Sequence, residues 1–258
     1  MVIRGYCHKR RSLAARGEPE IPSGGSRRAA RAANLFGSWS PSPTPVCANA
    51  SWSPRSVPPR PRPRRARPEA VARGGITLLE ITFTVPEAPR VMAALAHRAD
   101  VTVGAGTVLT ADQAHAAIGA GARFIIAPNF SPEVARVALN AGLMYCPGAY
   151  TTSEIIAARA AGAHVIKVYP VGVAGGPQYI QVIRDPLPDV PMLAAGGTNL
   201  ENVIPFLSVG CVGIGLGAAL ADPKLAATGQ FEEITRRARL FVERVSEAQT
   251  PAASRPGG

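Results

Sequence analysis

Aromatic side chains make up only 5% of this 258-residue chain, against 47% hydrophobic residues overall. A sizeable core is therefore available, and Ala, Val, Ile and Leu must fill it, as in an α/β protein. Cysteine is scarce too: Cys7, Cys47, Cys146 and Cys211, with no C-x-x-C spacing and no nearby histidine pairing. That argues against a zinc site, and a disulfide framework suits shorter chains. Cys146 and Cys211 lie in apolar strand-like runs and read as buried, reduced thiols, which points to a reducing compartment. No run of 18 apolar residues is free of glycine and charge, so no membrane span is expected. Acidic residues are nearly missing from the first 75 positions. Glu18, Glu20 and Glu69 stand there against 15 Lys and Arg, which leaves 14 acids against 13 bases in residues 76–258. The net charge of +11 thus belongs to an N-terminal segment and is not a nucleic-acid signal from the folded body.

Residues 1–70 are rich in Arg, Pro and Ser and carry no sustained apolar period. Such a composition cannot bury enough apolar surface to offset chain entropy, so this segment is expected to be disordered. Three readings compete for it. It has the Arg- and Ser-rich, acid-poor character of an organelle transit peptide. It could be a nucleic-acid-binding arm, although Trp39 and Trp52 are not interleaved with the Arg run. Or it reflects a wrongly chosen start or reading frame in a GC-rich gene. The expected compartment is the cytoplasm, or an organelle stroma or matrix under the first reading. Residues 251–258 are expected to be a disordered tail.

From residue 75 the pattern is regular. Apolar runs at 76–83, 101–105, 123–128, 143–148, 164–170, 191–197 and 211–217 predict strands. Ala-rich segments predict helices near 86–98, 110–120, 131–141, 151–161, 176–184, 199–208 and 229–247. Thr110, Ser131 (before Pro132) and Thr152 are the expected caps. Glycines close the helices in "GAGARF", "NAGLMY", "AAGAHV" and "SVGCVG". Continuous apolar strands joined by helices mean a parallel sheet buried on both faces. Seven consecutive units approach the eight of a TIM (β/α)8 barrel. A doubly wound sheet is the alternative, but glycine-rich "AAGG" and "GLGAAL" after the last two strands favour the barrel, which is expected over residues 71–250.

Two residues stand out in those strands. Lys167 interrupts "HVIKVYP" and Glu80 interrupts "ITLLEITF". A buried charge is costly unless it meets water or a partner. Lys167 could snorkel to the barrel mouth and Glu80 could pair with an arginine, but opposite charges near two strand ends point to a site. An amine taken out of water is more often neutral. Neutral amine attacks a ketone to give an imine, an electron sink that permits carbon–carbon cleavage beside it. A carboxylate within reach supplies the proton transfers. That chemistry needs no metal or other cofactor. His97, His115 and His164 read as structural or solvated.

"LLEITFT", "VGAGTVL", "CPGAYTTSE", "IKVYP" and "AAGGTNLEN" occur in this order. Together they resemble the 2-keto-3-deoxy-6-phosphogluconate / 4-hydroxy-2-oxoglutarate aldolase family over about residues 74–247. The resemblance implies class I, pyruvate-forming aldolases on a TIM barrel, usually trimers, acting on small keto acids. It assigns Lys167 as the imine-forming residue, Glu80 as the general acid/base and Thr107 as a holder of the pyruvate carboxylate. Pro128, Thr151 and Tyr169 would line the pocket, and Gly196 and Gly197 would receive the distal end of substrate. Three positions depart from the family pattern. Thr84 stands where some members carry a substrate-gripping arginine, Ala195 where a threonine often precedes the glycine pair, and Ala218 where a serine often follows Gly217. Lost donors weaken the grip on a phosphate, although backbone N–H groups at Gly196, Gly197 and Gly217 remain. The substrate stays open between phosphorylated and unphosphorylated 2-keto-3-deoxy acids and 4-hydroxy-2-oxoglutarate.

The same resemblance implies a strand and helix directly before residue 75. Prolines 58, 59, 61 and 63 exclude an interior strand there, and only "PEAVARGG" resembles the end of the helix. The first β/α unit is therefore expected to be missing or replaced, with "NLFGSWS" or "TPVCANASW" as weak substitutes. A missing strand would leave two unpaired edges. The rival to an active aldolase is an impaired barrel that serves as a phosphometabolite-binding or assembly protein.

Overall fold

The computed structural model describes residues 47–49 and 65–249. A strand outside the predicted runs comes first, β1 Cys47–Asn49, and the apolar runs become β2 Leu78–Thr82, β3 Thr102–Gly106, β4 Phe124–Ile126, β5 Met144–Cys146, β6 Gly148–Ala149, β7 Ile166–Val168, β8 Met192–Ala195 and β9 Gly213–Leu216. They pair in parallel in the order β5-β4-β3-β2-β1-β9-β8-β7-β6. Pro147 alone separates β5 from β6 and has no N–H to give a ladder. The two ends of the sheet are thus one stretch of chain. Ala127 N–H donates to the Cys146 carbonyl on one side of it (3.2 Å), and His164 and Lys167 N–H donate to the Tyr145 and Pro147 carbonyls on the other (3.0 and 2.8 Å). The sheet closes on itself as eight staves with helices between them, the TIM-type barrel that the pattern predicts.

The first unit is replaced. Cys47–Asn49, inside "TPVCANASW", pairs with β2 (Cys47 with Leu78, Asn49 with Glu80) and with β9 (Cys47 with Gly215). The two unpaired edges are therefore not found. Ladder bonds use backbone groups that every residue but proline carries, so three ordinary residues close the gap. The expected boundary at residue 71 also moves. Ala66–Arg73 is one helix, docked on the C-terminal helix Phe231–Gln249 by Thr235 Oγ1 donating to the Ala70 carbonyl (2.9 Å). Arg67 is buried and donates to the Ala221 carbonyl; burial pushes its guanidinium down to about 10, against the attraction of Asp222. The disorder expected for 1–46 and 50–64, and the tail at 251–258, lie outside the described residues.

Side chains alternate across each strand, which gives the barrel two apolar shells. Leu78, Phe124, Ile126, Cys146, Val165, Leu193 and Ala195 pack together inside the barrel. Leu79, Ile81, Val103, Ile125 and Ile166 point outward and meet Met92, Val134, Ile155, Phe206 and Phe241 of the helices. Caps hold the helices in place: Thr110 Oγ1 accepts from Gln113 N–H, and Ser131 Oγ from Val134 N–H. The third cap is Thr151, one residue before the expected Thr152. Its hydroxyl accepts from Glu154 N–H, and Glu154 returns the bond to Thr151 N–H, which makes a capping box. In a Thr-Thr pair only the position of the glutamate three residues later decides between them. Short helices at Ala218–Ala221 and Pro223–Thr228 follow β9; the periodicity does not predict them. Among the described residues no helix is long and apolar enough to cross a membrane.

Candidate active site

Glu80 and Lys167, the central residues of β2 and β7, face one another inside the barrel. Both are buried, 4% and 7% exposed, and Lys167 Nζ lies 4.0 Å from Glu80 Oε1. That oxygen has no hydrogen-bond partner among the described residues. An unsatisfied buried carboxylate oxygen is expensive to keep, and such groups mark places where a ligand or a proton comes and goes.

Gly106 makes room for this carboxylate. It ends β3 beside β2, and a Cβ there would lie 2.0 Å from Glu80 Oε1. The sequence motif "GAGT" thus supplies the hollow into which Glu80 folds. On the other side the Tyr169 ring covers the amine, with Nζ 5.2 Å from its centroid. Below the pair lies Cys146, fully buried. Burial pushes its thiol up to about 12, opposed by Lys167 and reinforced by Glu80. It is a neutral thiol and no nucleophile at neutral pH.

The other predicted residues sit on loops at the same end of the barrel, but not all touch the pair. Thr107 directly follows β3 with φ +54°, a left-handed conformation that a β-branched residue adopts only under constraint. Thr84 is exposed, and its hydroxyl lies 2.6 Å from that of buried Thr82. Pro128 is half-buried after β4, and Thr151 uses its hydroxyl as the helix cap just described. Gly196 has φ +77°, and a Cβ on it would lie 2.9 Å from two Tyr169 ring carbons. Gly197 lies two residues past β8, and Gly217 directly follows β9 and caps the helix that begins with exposed Ala218. Exposed His97 and His115 stay outside the site. His164 Nδ1 accepts from Tyr145 N–H (3.1 Å), and burial, with Arg159 nearby, holds its pKa below the ordinary value.

Several residues that hold the site together were not singled out by the sequence. In "GGTNLEN", Asn199 Oδ1 accepts from the N–H groups of Glu201 and Asn202 (both 3.0 Å). Asn202 accepts from Asn199 N–H (2.8 Å) and donates to the Gly197 carbonyl (2.8 Å). Thr198 Oγ1 donates to the Gly215 carbonyl (2.6 Å). The two Asn at i and i+3 are the available signal, since such side chains lock turns onto their own backbone. Likewise Tyr179 donates to the Tyr150 carbonyl and stacks on its ring at 5.7 Å. Glu154 accepts from the N–H groups of Tyr150 and Thr151 (2.7 and 2.8 Å), and those bonds hold its carboxyl below the usual range.

This constellation can be set beside known proteins. Residues 65–237 match the family model for KDPG and KHG aldolase. The chain is 35% identical over 182 residues to the 2-dehydro-3-deoxy-6-phosphogalactonate aldolase of Escherichia coli strain K12, covering 69% of this chain and 86% of that protein. A native KDPGal structure superposes with a TM-score of 0.71 at 32% identity, over 82% of this chain and 98% of that one. A KDPG aldolase from Legionella pneumophila, solved with pyruvate captured at low pH as a covalent carbinolamine intermediate, superposes with a TM-score of 0.64 at 28% identity, over 68% of this chain and 86% of that one. With the barrel closed and its buried amine and carboxylate facing each other, the match over two thirds of the sequence has one meaning: this chain belongs to the KDPG and KHG aldolase family.

Proposed function

We propose that this aldolase cleaves a 2-keto-3-deoxy-4-hydroxy acid, with or without a distal phosphate, through an imine on Lys167, and that Glu80 moves the protons. The observation that carries this reading is the buried Nζ–Oε1 separation of 4.0 Å. It leaves room for a substrate carbon at the nitrogen with a carboxylate beside it. Neutral Nζ attacks C2, and the carbinolamine loses its oxygen as water with a proton from Glu80. Glu80, now a carboxylate, takes the proton of the C4 hydroxyl. The C3–C4 bond then breaks, its electron pair moves toward the iminium nitrogen, and the aldehyde leaves. The enamine left behind is protonated at C3, and water releases pyruvate and frees the lysine.

The surrounding groups fit this course. Thr107, held in its left-handed conformation, would offer its hydroxyl and backbone N–H to the C1 carboxylate. N–H groups at Gly196, Gly197 and Gly217 would receive the distal end. Thr84 offers a hydroxyl to that end of the substrate. A homotrimer is the assembly that goes with this reading. The test is pyruvate release from 2-keto-3-deoxygluconate, from its 6-phosphate, from the 6-phosphate of its galactose epimer and from 4-hydroxy-2-oxoglutarate. At least one should be turned over, and Lys167→Met should abolish turnover of it. Cleavage that survives this substitution would refute the imine.

A further inference from the structure

We infer that the Tyr169 hydroxyl donates a hydrogen bond to the C4 oxygen of the substrate, and so acts in carbon–carbon cleavage but not in imine formation. This rests on the reading of Lys167 as the imine-forming residue. Two other tyrosines use their hydroxyls in the structure: Tyr145 donates to the Ser131 carbonyl and Tyr179 to that of Tyr150. Tyr169 follows Lys167 by two positions, is 40% exposed, and its hydroxyl has no partner among the described residues. Yet its ring does not float. It lies across the Gly196 backbone, where a Cβ would come within 2.9 Å of two ring carbons, and it covers the Lys167 amine at 5.2 Å. The outcome is a fixed phenol with a free donor at the open side of the amine.

The dimensions agree. From the imine nitrogen to the C4 oxygen runs a chain of four bonds, each about 1.3–1.5 Å, which puts that oxygen about 4–5 Å from Nζ. A phenol oxygen lies about 2.8 Å from its own ring centre and reaches a further 2.7 Å or so through a hydrogen bond. A ring centred 5.2 Å from Nζ can therefore meet the C4 oxygen while its face stays over the amine. When the C4–O–H proton passes to Glu80 and the C3–C4 bond breaks, negative charge builds on that oxygen before the carbonyl is complete. A donor already aimed there stabilises the transition state more than the ground state. Tyr169 keeps its own proton throughout.

Pyruvate has no C4 oxygen, and this separates the steps. The full chain and its Tyr169→Phe variant would be compared in two reactions: exchange of pyruvate methyl protons with deuterium oxide, and cleavage of whichever 2-keto-3-deoxy acid the wild type turns over best. The exchange needs only Lys167 and Glu80 and should change by less than about twofold in the variant. The kcat for cleavage should fall by about 10–100-fold, below the loss of a fully enclosed oxyanion donor because this site is open to water. Equal cleavage in the two proteins would overturn the proposal. So would a parallel fall in exchange and cleavage, which would make the ring a support for Lys167 and no more. A wild type that exchanges no pyruvate protons would overturn the imine reading itself, an outcome that cannot be mistaken for the other two.

Discussion

The staves that carry the chemistry and the stave that closes the barrel are specified in different ways. β2 and β7 have apolar faces on both sides, and each carries one charged residue whose partner stands across the interior. β1 is three residues, Cys47–Asn49, drawn from a stretch crowded with Pro, Ser and Arg, and it pairs in parallel with β2 and β9 through its backbone. Side-chain identity decides the first pair. For the second, two waiting edges accept any short segment that has donors and acceptors in register. A barrel can thus tolerate a poor sequence at one stave provided its neighbours are sound.

Substitutions can break this contrast, the largest effect first. Glu80→Gln keeps the shape of the side chain but cannot take a proton. Turnover should fall by about 10²–10⁴-fold, the range for losing a positioned acid/base, with the urea midpoint little changed. Near-wild-type turnover at saturating substrate would remove Glu80 from the chemistry. Ala48→Pro should do the reverse. Proline in a strand paired on both sides removes a ladder donor, which is why it is confined to edges and bulges, and the barrel should lose stability. Urea unfolding should show that loss, while the fraction that remains folded keeps its kcat. If stability is unchanged, the three-residue strand is not what closes the barrel. Gly106→Ala lies between the two. The new Cβ would sit 2.0 Å from Glu80 Oε1, and a flexible carboxylate can yield where a backbone cannot. We expect turnover to fall by about tenfold from the displaced acid/base, with a smaller loss of stability than for Ala48→Pro.

The same contrast explains what the sequence made legible. Lys167 and Glu80 could be found because a charge inside an apolar run has few structural uses. The helix–glycine–strand rhythm showed the barrel because each unit repeats one local rule. β1 is legible only as one of two weak candidates, "NLFGSWS" and "TPVCANASW", since what makes the second a strand lies in the edges of β2 and β9. The hollow at Gly106 depends on the register of β3 against β2, which puts Gly104 opposite Glu80 and Gly106 opposite Thr82. The left-handed Thr107 is equally hidden, because no local rule assigns positive φ to a β-branched residue. The cap falls on Thr151 and not Thr152 because Glu154 stands three residues after Thr151 and completes the capping box, a cue that lies outside the Thr-Thr pair itself.

The central claim is that Lys167 is the nucleophile in a closed barrel, and the chain is well suited to a direct check, since its lysines are Lys9, Lys167 and Lys224. Pyruvate and borohydride would be added to the full-length protein, and the peptides mapped by mass spectrometry. The account predicts one stable reduced adduct on the peptide that contains Lys167, and none when Lys167 is replaced by Met. An adduct on Lys224 or Lys9, or an active enzyme that acquires no adduct at all, would contradict it.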